Sequence, residues 1–271
     1  MVVFPNCKIN LGLNITGKRP DGYHNLETVF YPILLKDILE AVQAEKLTFQ
    51  SSGLIIDGNA GDNLCIKAWH LLKNDFPDLP TVQIYLHKII PIGAGLGGGS
   101  ADGAFMLLLL NNKFNLQLTD EQLISYALQL GSDCPFFILN KPVFATGRGE
   151  IMTSVTVDLS DYKIFISNPG IHISTKEAFN NLTPSMPIKR IKEIIEQPII
   201  TWKHELVNDF EKPLFKLFPE IEALKQSMYH AGAMYASMSG SGSTVFGLFP
   251  KNNTIKLSLP DHYLKIELPA Q

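Results

Sequence analysis

The chain has 271 residues, 45% of them hydrophobic and 18% charged, which supports a sizeable core and one or two domains. Its net charge of −3 supplies no overall basic field for nucleic acid, so an anionic ligand would need local donors. No apolar run reaches the roughly 18 residues of a membrane span, and the N-terminal stretch Met1–Pro5 lacks a signal-peptide pattern. Cys7, Cys65 and Cys134 are scattered among apolar or small residues, which suits buried thiols in a reducing, cytoplasmic compartment better than a disulfide framework.

In chain order, Lys8–Ile15 alternates over eight residues and reads as a strand with Lys8, Asn10, Gly12 and Asn14 on one face. A solvated face is the plain alternative, but asparagines are poor strand formers, which favours a polar cleft lining. The Gly17–Gly22 turn leads to Tyr23 and His24, residues that most often just pack beside a strand start. The segments 37–44 and 46–50 read as further strands. Asp62 is the expected N-cap of a helix over 66–73, with Asn63 beside it as a second cap candidate.

Val82–Leu86 alternates as a strand and Ala104–Leu110 reads as a buried helix. Between them runs Pro91-Ile92-Gly93-Ala94-Gly95-Leu96-Gly97-Gly98-Gly99-Ser100-Ala101-Asp102, with five glycines in seven residues. A glycine-rich turn entering a helix offers free N–H groups and the positive end of a helix dipole to a phosphate. Ser100 is placed to cap that helix, or to turn its hydroxyl to a phosphate or its metal. A P-loop is excluded because no lysine stands between Gly99 and Ser100. Gly93, Gly95 and Gly98 satisfy the dinucleotide pattern, but the acidic residues at the required distance, Asp120 and Glu121, belong to the capping box Thr119–Gln122 of a helix over 122–130. A flexible turn would account for one or two glycines, not five.

Asp133 follows in Gly131-Ser132-Asp133-Cys134-Pro135-Phe136-Phe137, where a turn-capping role is the common alternative. A strand and turn run from Val143 to Glu150, and the pattern restarts with a strand at 162–166. Ser174 or Thr175 caps a short helix containing Phe179, by default a core residue. The segment 189–197 has helical spacing, and 208–216 and 220–230 read as helices. Small residues Ser237–Thr244 then precede a strand over 245–249.

The segment Pro91–Ala101 resembles the second motif, P-x-G-x-G-L-G-S/G-S/G-A/S, of the GHMP kinases. Ser239-Gly240-Ser241-Gly242 resembles their third motif, and Lys8-Ile9-Asn10-Leu11, Arg19-Pro20-Asp21-Gly22-Tyr23-His24 and Gly131–Phe137 resemble strings of one subfamily. Cys7 stands where alanine is usual before the lysine, a packing variation. The resemblance implies an α+β fold of two lobes, with an N-terminal ATP-binding domain at 1–152 and a C-terminal, ferredoxin-like domain at 153–271. It implies transfer of the ATP γ-phosphate, with Mg²⁺, to the 2-hydroxyl of a small cytidyl-diphosphate methylerythritol in isoprenoid precursor synthesis, without nucleic acid or membrane partners. Lys8 and Asp133 would be catalytic. Pro91, Gly93, Gly95, Leu96, Gly97, Gly98, Gly99, Ser100 and Ala101 would bind ATP, together with Asn63 near adenine and Lys88 near the nucleotide. Asn10, Tyr23, His24, Phe179, Ser239 and Gly240 would bind the acceptor, with Phe179 stacking on cytosine, and Ser100 would be the magnesium ligand. A homoserine- or mevalonate-type kinase would share the glycine loop but lack Tyr23-His24 with Phe179. A non-catalytic nucleotide-binding regulator would have lost Lys8 or Asp133.

Overall fold

A computed structural model describes residues 1–56 and 58–269. In chain order, the first half contains β1 (Val2–Val3), β2 (Asn6–Lys18), β3 (His24–Lys36), β4 (Ile38–Gln43), β5 (Thr48–Gly53), α1 (Leu64–Asp75), β6 (Val82–Lys88), α2 (Gly98–Phe114), α3 (Asp120–Leu130) and α4 (Cys134–Leu139). After it come β7 (Val143–Thr146), β8 (Ile151–Ser154), β9 (Tyr162–Asn168), α5 (Thr175–Asn180), α6 (Ile191–Ile195), α7 (Ile199–Glu205), α8 (Glu211–Leu217), α9 (Pro219–His230), β10 (Tyr235–Met238), β11 (Val245–Pro250) and β12 (Leu264–Leu268). Strands and helices thus come largely in separate runs, as in an α+β fold.

The chain forms two compact units. The first comprises Met1–Lys8, Leu34–Ile92 and Gly97–Lys141; the second comprises Ile9–Ile33, Gly93–Leu96 and Pro142–Gln271. They interleave because β2 and β3 each run from one unit into the other, so they divide the chain differently from the sequence halves 1–152 and 153–271.

In the first unit the sheet order is β1-β4-β6-β5, with β5 parallel to β6 and the other pairs antiparallel. Val82, Ile84 and Leu86 alternate inward along β6, as the period of a half-buried strand demands. Helix α2 is apolar nearly all round, and Ala101, Ala104, Met106, Leu107, Leu109 and Leu110 are all buried, which is the mark of a helix enclosed by its neighbours. It starts at Gly98, six residues before the apolar run, because the glycines after Gly97 already take helical geometry. Its N-cap is therefore Gly97, not Ser100. Asn63, not Asp62, caps α1 by accepting the Cys65 N–H, while Asp62 ends a short 3₁₀ turn. The Thr119–Gln122 capping box opens α3 as read.

In the second unit the sheet order is β10-β11-β9-β12, every pair antiparallel. Counted from β9, that is the 4-1-3-2 order of a ferredoxin-like sheet. Among the described residues no helix joins β11 to β12. Helix α9 packs on β10 and β11, burying Ile221, Leu224 and Met228 in a core with Phe165, Phe210, Leu214 and Phe249. A third sheet, β2-β3-β7-β8, has β3 antiparallel to β7 and β7 antiparallel to β8. Helix α7 and strand β12 were not assigned from the sequence. The first follows Pro198, and the second is an alternating edge strand of only five residues.

Candidate active site

The loop after β6 leads directly into the longest helix among the described residues. Gly97 has φ +70°, and a Cβ there would lie 3.0 Å from Phe137 Cζ and 3.2 Å from Lys8 Cε. The left-handed conformation favours glycine, and the space for a Cβ is tight. The first-turn N–H groups of Gly98, Gly99 and Ser100 have no preceding helical turn to donate to, and Gly99 is exposed with open space where a Cβ would stand. The loop therefore presents backbone donors and the positive end of a 17-residue helix on an open face. The side chains of Leu96 and Ala101 are fully buried and anchor the loop from within, and Pro91 is half-buried.

Lys8 reaches this loop from β2. It is buried, and its Nζ lies 3.5 Å from Asp133 Oδ2. Asp133 occupies the N-cap position of α4 but makes no capping bond, so its side chain is left to face Lys8, with 34% of it exposed. The turn-capping reading of Asp133 is thereby replaced. Beside it, burial pushes the Cys134 thiol up to about 12, opposed by a hydrogen bond with Ser100, so it stays an unreactive thiol. An ammonium, a carboxylate and an anion-attracting helix end in one unit are the parts that phosphoryl transfer to an alcohol requires.

Lys88 departs from its sequence reading as a nucleotide contact. Its Nζ is 2.5 Å from Asp37 Oδ2 and 2.7 Å from Asp102 Oδ2, and its side chain is 1% exposed. Burial opposes its charge, but Asp102 and Asp37 outweigh that and raise its pKa. Burial first, then Asp37, against the opposing pull of Lys88, pushes Asp102 up to about 7. A Cβ on Gly98 would come within 3.0 Å of Lys88 Nζ, so the ammonium lies beneath the helix start and not on its open face. Asn63 takes the capping role, its Oδ1 accepting the Cys65 N–H, and the residue also lines a cavity of about 330 Å³ with Phe49, Ile56, Asn59 and Asp62.

In the second unit, Gly93–Leu96 lies on the Ser239–Gly242 loop. Ser239 Oγ donates to the Gly95 carbonyl at 2.9 Å and accepts the Asn10 N–H at 3.3 Å. Asn10 Nδ2 donates to Thr28 Oγ1 at 2.9 Å. Gly95 has φ +78°, and a Cβ on it would collide with the Ser239 carbonyl. Residues not singled out from sequence hold this loop. Asn208 Nδ2 donates to the Met238 and Gly240 carbonyls at 2.7 and 2.9 Å, and Glu211 Oε1 accepts the Met238 N–H at 2.8 Å. Asn168 Nδ2 donates to Thr244 Oγ1 at 2.9 Å. Asn208 and Glu211 fall in the segment 208–216 read as a helix, which begins only at Glu211, and Asn168 opens the turn-like Asn168-Pro169-Gly170.

Tyr23, His24 and Phe179 do not form one open platform. His24 stacks on a face of Phe179 with ring centroids 4.6 Å apart, and Phe210 packs edge-on against Phe179 at 5.0 Å. Phe179 thus backs His24 rather than offering both faces to a ligand. Tyr23 is 54% exposed and carries the Arg148 guanidinium 4.8 Å over its ring. Burial, then Lys18, lowers the His24 pKa and favours a neutral ring.

Residues 63–141 match the family described as GHMP kinases N terminal domain, and residues 191–263 match GHMP kinases C terminal. The chain is 54% identical over 259 residues to the 4-diphosphocytidyl-2-C-methyl-D-erythritol kinase of Bacteroides fragilis, covering 94% of each chain. It is similar to a crystal structure of 4-(cytidine 5'-diphospho)-2C-methyl-D-erythritol kinase, with TM-score 0.76, 33% identity, and 92% of this chain and 90% of that one covered. A Methanococcus jannaschii mevalonate kinase structure shares the fold alone, with TM-score 0.68, 14% identity, and 93% of this chain and 92% of that one covered.

Proposed function

The chain belongs to the GHMP kinase family, and from that premise we propose that it transfers the γ-phosphoryl group of ATP to the 2-hydroxyl of 4-diphosphocytidyl-2-C-methyl-D-erythritol, a step of isoprenoid precursor synthesis. The observation that carries the chemistry is the Lys8–Asp133 pair, 3.5 Å apart, with the Lys8 stem against Gly97 at the start of α2. The backbone N–H groups of the glycine loop would cradle the phosphates. Asp133 would orient the acceptor hydroxyl and accept its proton, and Lys8 would stabilise the charge that develops on the transferred group. Asn63 and the cavity it lines would take the adenine. On the acceptor side, Asn10, Ser239 and Gly240 would position the substrate, with cytosine read by Tyr23 and by His24 backed by Phe179. Residues 1–152 and 153–271 would be the two sequence domains, since the family matches at 63–141 and 191–263 fall on either side of that boundary.

The donor set fits magnesium carried on a nucleotide. Among the described residues there is no group of three or more His, Cys, Asp or Glu able to hold a metal by itself, and Mg²⁺ commonly keeps its waters and binds largely through substrate phosphates. The Ser100 hydroxyl would hold it, and it would offset phosphate charge.

The experiment is incubation with ATP, Mg²⁺ and a panel of alcohols, read by mass spectrometry. Phosphorylation of the cytidyl-diphosphate substrate, with homoserine and mevalonate left unchanged, is the expected result. Phosphorylation of either of those two instead would move the chain to another branch of the family, and no transfer at all would favour a nucleotide-binding regulator.

A further inference from the structure

We infer that Asp37, Lys88 and Asp102 are a positioning device for the glycine loop, one ammonium tying the loop's entry to its exit. This rests on the reading of the loop as a phosphate cradle. The loop occupies residues 91–101, and the three charged side chains engage the chain on both sides of it. Asp37 Oδ1 accepts the N–H groups of Ile89 and Ile90, at 2.5 and 2.9 Å, the two residues that lead out of β6. Asp37 Oδ2 accepts from Lys88 Nζ. The same Nζ donates at 2.7 Å to Oδ2 of Asp102, within the first two turns of α2. The loop's two ends are therefore joined through a single atom.

Stability alone does not explain the cluster. Three ionisable side chains are held at side-chain exposures between 0 and 5%, where well-packed apolar residues often serve as well or better. Asp102 Oδ1 is also buried with no hydrogen-bond partner, an arrangement that costs stability. What the cluster supplies is geometry. It fixes where the first N–H groups of α2 point, from behind, without occupying the face a phosphate would use.

Electrostatics and geometry predict opposite signs, and this makes the inference testable. With Asp102 ionised, as it is above about pH 7, two carboxylates and one ammonium leave an excess negative charge behind an anion site, so the binding comparison below is made at pH 8. If the cluster acted only through charge, deleting Asp102 would tighten phosphate binding. If it positions the loop, deleting Asp102 loosens the tie and weakens binding. Asp102→Ala leaves the Lys88–Asp37 pair intact and balanced, so the fold keeps no uncompensated charge.

The experiment measures ADP affinity by calorimetry, and KM for ATP and for the acceptor, in wild type, Asp102→Ala, Asp102→Asn and Gly97→Val. Asp102→Ala is expected to raise the ADP Kd and the ATP KM roughly tenfold or more, since small misplacements of a site cost on that scale. The acceptor KM should stay unchanged, and Asp102→Asn, whose amide oxygen still accepts from Lys88, should restore most of the loss. If Asp102→Ala does not fold, Asp102→Thr, too short to reach Lys88, gives the same readout. Folded Asp102→Ala or Asp102→Thr binding ADP as tightly as wild type, or more tightly, overturns the inference while Gly97→Val remains impaired. Unchanged ADP affinity in Gly97→Val overturns the cradle reading and this inference with it.

Discussion

At the residue scale, the proposed chemistry rests on two side chains that are 125 positions apart in sequence and 3.5 Å apart in the fold. Asn is nearly isosteric with Asp but accepts no proton at neutral pH, so Asp133→Asn should lose kcat by about 10²–10⁴-fold. Its ADP affinity and melting temperature should hardly move. Lys8→Met should lose a comparable amount, and the double variant should be little worse than either, because groups that act as a unit are not additive. Steady-state kinetics on the three variants checks this; multiplicative losses would dissolve the pair. His24→Ala should raise the acceptor KM with little effect on the ATP KM, base stacking being worth about 1–3 kcal/mol. Phe179→Ala should act in the same direction by unseating His24 and should also lower the melting temperature, since Phe179 packs on the core through Phe210. An unchanged acceptor KM in both variants would remove the cytosine assignment. The lysine and aspartate were legible because each sits in a recognisable short string. The partners of Lys88 were not, because Asp37 and Asp102 lie 51 and 14 positions away and no local pattern links them.

At the scale of elements, glycines in one loop serve different ends. Gly95 holds a left-handed conformation against the Ser239 carbonyl, so Gly95→Ala should destabilise the protein by about 2 kcal/mol or more. Gly99 is helical and open. Gly99→Ala should therefore keep or slightly raise the melting temperature, by the helix preference of about 0.5–1 kcal/mol for alanine, while weakening ADP binding by covering the first N–H groups. Thermal melts beside calorimetry separate the two, and equal loss of stability in both would contradict the assignment. The sequence marked the loop and the α3 capping box clearly. It misplaced the starts of α1 and α2, because Asn63 and Gly97 compete with neighbouring residues, Asp62 and Ser100, of equal or better capping propensity.

The buried cluster under α2 also makes a statement about pH. The Asp102 carboxyl is raised in the fold from 3.8 to about 7. The folded chain thus holds a proton that the unfolded chain releases, so this group's stabilisation is full below the unfolded pKa and is lost as pH rises through about 7. Asp102→Asn carries no such titration. Its melting temperature relative to wild type should climb between about pH 4 and pH 8. A constant difference across that range would show that Asp102 is ionised throughout.

At the scale of the whole molecule, the division into two units follows from strands that the sequence shows only as alternating runs. Nothing local in residues 6–18 or 24–36 announces that one strand serves two units. The sheet of the second unit was equally hidden, since β12 is a short edge strand added after a long irregular stretch. What the sequence did carry across the whole chain was the order of its small-residue loops, because glycine is required wherever backbone meets backbone or ligand closely. The central claim is that this molecule phosphorylates an alcohol it recognises through a cytidyl group. The most direct measurement is the ratio of kcat/KM for 4-diphosphocytidyl-2-C-methyl-D-erythritol to that for the same methylerythritol phosphate without its cytidyl group, both with saturating ATP and Mg²⁺. A preference for the cytidyl substrate of roughly a hundredfold is expected, as loss of a base-recognising site implies; a ratio near one, or a faster reaction with the uncapped alcohol, would contradict it.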